Sequence, residues 1–216
     1  MRKIHKNKSK MLAAVYKEWV AELDKNKKKH PRANTYYVDV LMNLLHCQKG
    51  VCAYTEELLC EPALLGADNW ENGRFKEKSP GRLGEIDHFD PELKKDRYWE
   101  WDNLFVVLER INRLKGKKKV DDRFKPDSPG YHPAKYLEYD VETHRFRPHG
   151  DIKDKALKKS VERMLKILGI NYGPIHYNRR SYLKKILMHR EVNEPFTIDR
   201  FFTACLMAGL NVEGHE

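Results

Sequence analysis

The chain has 216 residues, with 42 Lys and Arg against 32 Asp and Glu, giving a formal net charge of +10 with its ten histidines neutral. That length accommodates one domain with attachments or two small ones, and 40% hydrophobic with 11% aromatic residues excludes wholesale disorder. No apolar run reaches the roughly 18–20 residues of a membrane span, no apolar signal segment follows the basic start, and cysteines at 47, 52, 60 and 205 are too few for a disulfide scaffold. A reduced, cytoplasmic protein with a polyanionic partner and no membrane is expected.

Residues 1–10 carry five basic residues and no acid, and read as a solvated or phosphate-contacting arm. Leu12, Val15, Tyr16, Trp19 and Leu23 recur at helical spacing, predicting an amphipathic helix over 10–25 that dissolves into a charged run and His30-Pro31. Asn34 is placed to cap a second helix with Tyr37, Val38, Leu41, Leu44 and Leu45 on its apolar side. Gly and Pro between polar residues make 62–84 a loop. Leu104 to Leu108 is a short β-prone run, followed by helix-compatible residues 109–115 and a stop at Gly116.

After a loop over 121–133, the alternation of 136–141 answered by 145–147 predicts a hairpin. Leu157, Val161, Leu165 and Leu168 mark a helix ended by Gly169, and Pro174 suits the first turn of another carrying Leu183, Ile186 and Leu187. Thr197 is placed to cap a last helix with Phe201, Phe202, Cys205 and Leu206. The fold class is α+β, organised as an N-terminal helical region (1–45), a central segment (46–119) and a hairpin with C-terminal helices (120–216), without repeats or a clean linker.

The chemistry concentrates in Glu85-Ile-Asp-His-Phe-Asp-Pro91, then Trp101-Asp-Asn103, then Asn112-Arg-Leu-Lys-Gly116. Asp87 and His88 are adjacent, so on a continuing strand they point to opposite faces, and they can serve one site only where the strand ends or bends. Asn112 and Lys115 lie three apart on one helix face, so an amide oxygen and an ammonium can converge. Hard oxygen ligands from Asp87 and Asn112, completed by water and substrate phosphate, suit Mg²⁺.

These residues resemble the HNH, or ββα-metal, endonucleases: an Asp-His pair on the first strand, Asn103 fifteen residues after His88, then Asn112 nine further on in an Asn-x-x-Lys-Gly ending. The stretch Leu45 to Tyr54 is similar to the knuckle that leads into the core of that family. The resemblance implies a ββα-metal core around 83–118, with Asp87 and Asn112 as metal ligands and His88 as the general base. It also implies that Asn103 orients the loop that aims His88, and that Lys115 meets phosphate or offsets transition-state charge. Arg110, Arg113, Lys117, Lys118 and Lys119 become candidate nucleic-acid contacts, although such a run read alone is equally a solvated face.

Mg²⁺ is the implied cofactor, with Mn²⁺ able to substitute, and Asp90 and Glu85 are the next candidate ligands. Many relatives hold a structural zinc with two Cys-x-x-Cys pairs. Here three of those four positions are Thr55, Leu108 and Ile111, so no structural zinc is expected.

More loosely, the opening residues, the Cys-Ala-Tyr54 knuckle and the C-terminal hairpin and helices resemble the PtuB-like HNH subunit of Septu-type antiphage systems. That implies a defence role on DNA beside an SMC/ABC-type (PtuA-like) ATPase, in some systems within a retron complex. The alternatives are the same chemistry on RNA such as tRNA, or a non-catalytic nucleic-acid-binding or scaffold subunit. Trp99 and Trp101 read as core anchors, and His132, His144, His149 and His176 as packing or surface residues.

Overall fold

Helical periodicity near the start becomes α1 (Lys10–Lys25) and α2 (Tyr37–Cys47). Tyr16, Trp19 and Leu23 of the first, and Val40, Leu41, Leu44 and Leu45 of the second, are buried in one apolar core. The structure, a computed structural model, describes residues 1–6, 10–25, 36–72, 74–77, 81 and 83–210; the expected cap Asn34 lies outside them. Two compact units share the chain. One comprises 4–53 and 59–119, the other 1–3, 54–58 and 120–216.

In the first unit, the segment 62–84 expected to be loop holds two 3₁₀ turns and a two-residue strand pair, β1 (Trp70–Glu71) with β2 (Arg74–Phe75). Local Gly and Pro content could not show this, because a tertiary partner fixes it: Asp39 of α2 accepts the Phe75 N–H at 2.7 Å and Arg74 Nε at 2.9 Å. Next come β3 (Glu85–His88) and β4 (Leu104–Val107), antiparallel with Glu85 opposite Val107 and His88 opposite Leu104. α3 (Glu109–Lys115) follows almost directly. Gly84 opens β3 at φ +94°, where a Cβ would stand 2.7 Å from the Val107 carbonyl oxygen, so glycine is required there.

All four β4 residues are buried. Ile86, Leu104 and Val106 join the core of α1 and α2, while Phe105 meets Phe89 edge to face. Each such aliphatic burial contributes about 1.5–3 kcal/mol. The turn after α2 seals β4. Gln48 Nε2 donates to Val106 O at 2.9 Å, Gln48 Oε1 accepts from Val106 N at 2.8 Å, and Ala53 N donates to Val106 O at 3.0 Å. Trp99 and Trp101 are buried, as core anchors should be.

In the second unit, the stretch expected as loop over 121–133 contains a 3₁₀ turn capped by Asp121. Then come α4 (Pro133–Tyr136), β5 (Leu137–Asp140) and β6 (Arg145–Pro148), so Tyr136 closes a helical turn instead of opening the hairpin. α5 (Lys155–Ile167) packs on β6, and α6 (Gly173–Glu191) starts with Pro174 in its first turn. Buried Arg179 of α6 donates to His144 O at 2.9 Å and Ile170 O at 3.0 Å, and stacks over Phe146.

α7 (Phe202–Met207) begins after Phe201, whose φ is +52°, and not at Thr197. The correction has a clear cause. Glu56 supplies the cap, its backbone oxygen accepting Phe201 N at 2.9 Å and its carboxylate accepting Thr203 N at 2.8 Å. The architecture is mixed helix and small antiparallel strand pairs, α+β in kind. No helix among the described residues is long and apolar enough to cross a membrane.

Candidate active site

β3 ends at His88, and the chain bends there into the 89–92 segment, so neighbours on one strand can share a site. Asp87, His88 and Asn112 all line one cleft of about 690 Å³ in the first unit. Asp87, His88 and Asn103 are 5%, 3% and 4% exposed, and Lys115 is fully covered.

Asn103 clamps the bend. Its Oδ1 accepts Asp90 N at 2.8 Å, its Nδ2 donates to Asp90 O at 3.0 Å, and its own carbonyl accepts Phe89 N at 2.9 Å. Three bonds therefore bracket the residues immediately after His88, where the sequence places a loop-orienting asparagine. His88 Nε2 donates to the Tyr98 carbonyl at 2.9 Å, and the Tyr98 ring stands edge-on to the imidazole. A carbonyl only accepts, so Nε2 carries the proton and the basic lone pair is on Nδ1. Burial, with Lys94 and Lys115 adding to it against the Tyr98 hydrogen bond, pushes the His88 pKa down to about 4. The imidazole is neutral at pH 7.

Lys115 lies inside the unit. Its ammonium bridges both carboxylate oxygens of Asp87 at 3.1 Å and donates to His88 O at 2.6 Å. This position fits charge compensation at Asp87 and support of the strand end, not direct contact with a phosphate. Asn112 donates Nδ2 to Glu85 Oε2 at 2.9 Å, which fixes the amide plane and leaves the amide oxygen as its acceptor. Asp90, the other reserve ligand, accepts Glu92 N and pairs with Lys119 at 3.0 Å.

Of the candidate nucleic-acid contacts, only Lys117 lines the cleft. Arg113 pairs with Glu109, Lys118 donates to Leu114 O, and Arg110 is exposed. Lys94 and Lys95 also line the cleft. Their signal in the sequence is that they follow Pro91 at the strand exit.

Among the described residues no three or more His, Cys, Asp and Glu side chains gather as a metal-holding group. The donor set is one carboxylate and one amide oxygen facing a common cleft. That fits an ion that keeps most of its water, not one caged by protein. Of the positions where relatives carry zinc cysteines, Ile111 is buried in the core. Elemental analysis after exhaustive dialysis is expected to find less than one zinc per chain. A tightly held zinc whose chelation lowers the melting temperature would assign Cys47, Cys52 and Cys60 a site.

No protein-family model matches this chain, and a search of curated proteins finds no match.

Proposed function

We propose that this protein is a divalent-metal-dependent endonuclease of the HNH type, that β3, β4 and α3 form its ββα-metal core, and that it hydrolyses phosphodiester bonds of DNA. The observation that carries the reading is convergence. Asp87, His88 and Asn112, from a strand end and a helix, face one cleft whose bend is held by Asn103. Lys94, Lys95 and Lys117 on the same cleft suit a polyanion.

In this mechanism Asp87 and Asn112 would hold Mg²⁺ or Mn²⁺, which would supply neutralisation of the charge that builds on the phosphate and leaving oxygen. His88 takes the proton of the attacking water at Nδ1, its ring held by the Tyr98 carbonyl. Asn103 keeps that ring aimed by fixing Phe89 and Asp90. Lys115 balances the buried Asp87 carboxylate.

The test is incubation of the full chain with supercoiled plasmid, and in parallel with structured RNA, across a titration of Mg²⁺ and Mn²⁺. Metal-dependent nicking of the plasmid is expected. Asn112→Ala should lose most of its activity at low Mg²⁺ and regain part of it at high Mg²⁺ or with Mn²⁺, because a neutral ligand is removed while Asp87 stays. Nicking undiminished by a chelator, or no cleavage of either substrate with any metal, overturns the reading.

A further inference from the structure

α5 of the second unit presents a second feature suited to a polyanion. Its sequence, Lys-Ala-Leu-Lys-Lys-Ser-Val-Glu-Arg-Met-Leu-Lys-Ile, buries Val161, Met164, Leu165 and Ile167. Lys155, Lys158, Lys159, Arg163 and Lys166 are all exposed. At about 100° per residue they fall on a single face, with Glu162 the only acid among them. Lys155 and Lys166 are eleven residues apart, so the row extends about 16 Å.

Several other surface cations hold carboxylates: Arg113 with Glu109, Lys119 with Asp90 and Glu92, Arg123 with Asp121, Arg147 with Glu138. None of the five α5 cations is in an ion pair among the described residues. Lys155 and Lys158 also sit at the start of the helix, where the macrodipole is positive and the N-cap carboxylate of Asp154, accepting Ala156 N at 2.8 Å, is the acid that offsets it. Cations at that end repel the helix dipole and one another, and a bound anion would offset the repulsion.

We propose that the outer face of α5 is a binding surface for the phosphate backbone of a nucleic acid. The assignment of that polyanion as substrate rests on the nuclease reading above. A lipid surface is the poorer fit. A membrane-bound basic helix inserts its apolar side, and here that side is spent on the core of the unit. A row of Lys and Arg without an apolar or aromatic reading edge positions a backbone and does not select sequence.

The experiment measures binding of the full chain, in chelator so that nothing is cut, to a labelled random-sequence DNA duplex and to a structured RNA over a range of salt. Lys155→Gln/Lys159→Gln/Lys166→Gln is compared with a control of equal charge change, Lys17→Gln/Lys25→Gln/Lys76→Gln. Loss of about ten- to hundredfold in affinity near 0.1 M salt is expected for the α5 triple, with a salt slope shallower by about two to three. The nucleic acid whose affinity falls is the one the surface holds.

Circular dichroism and melting temperature should match wild type, since the changed side chains are exposed. Equal loss in the control triple, unchanged affinity in the α5 triple, or α5-dependent binding to phosphatidylglycerol vesicles but not to nucleic acid overturns the proposal. The two readings fail separately. Metal-dependent cleavage with unchanged binding by the α5 triple removes this surface alone. Binding through α5 by a protein that cuts nothing removes the nuclease alone.

Discussion

His88→Ala is expected to slow plasmid cleavage by a factor of about 10²–10⁴, the range lost with a positioned general base, while nucleic-acid affinity stays nearly unchanged. The side chain is buried at the floor of the cleft and is held by a backbone carbonyl, so it offers a lone pair and not a phosphate clamp. Its pKa near 4 in the unliganded protein makes it wholly unprotonated at pH 7, but a weak base.

The same depressed pKa gives a stability signature with a definite sign. Between pH 6.5 and 4 the unfolded chain binds a proton at His88 that the folded chain does not, so stability is full above 6.5 and falls as the pH falls. Measured in urea with chelator present, the advantage of wild type over His88→Ala should shrink by about 2 kcal/mol from pH 7 to pH 5. A gap that stays constant with pH would mean that His88 titrates normally and is not held neutral by burial. Wild-type cleavage by His88→Ala would end its assignment as the base.

The chemistry-bearing residues were legible because their relations are local. A strand end and one helical face are set by short spacings, so Asp87-His88 and Asn112 could be grouped before any tertiary contact was known, whereas Asn103 was picked out by the family resemblance. Depth was not legible. Helical period puts Asn112 and Lys115 on one face but does not say that Lys115 is wholly covered, which depends on how α3 lies against β3. The support of His88 was hidden for another reason: its partner is the backbone oxygen of Tyr98, and a carbonyl leaves no mark in a sequence. Thr197 failed as a cap, and 62–84 failed as pure loop, because Glu56 and Asp39, remote in sequence, supply the bonds that fix α7 and β2.

Lys115→Met is expected to destabilise the protein by about 3–5 kcal/mol, because it removes the ammonium that bonds both oxygens of the buried Asp87 carboxylate. Asp87→Ala should cost a similar amount from the other side, leaving a covered ammonium with only the His88 carbonyl. The double variant Asp87→Ala/Lys115→Met, which buries no charge, should lose well under the sum of the two, and urea unfolding of the four proteins gives that coupling directly. Additive losses would mean that the two groups do not interact as a buried pair. This arithmetic decides how the metal ligand must be tested. Inactivity of Asp87→Ala alone does not identify a ligand, since the lone ammonium it leaves also destabilises the fold. Asp87→Asn keeps an oxygen for Lys115 to bond, so it should lose less stability than Asp87→Ala, while it removes the only formal charge that the proposed ligand pair would offer a metal. Checked as folded by circular dichroism, it should bind nucleic acid and cut at no Mg²⁺ concentration. An Asp87→Asn protein that cuts with wild-type metal dependence would take Asp87 out of the ligand set and leave Lys115 paired to it for stability alone.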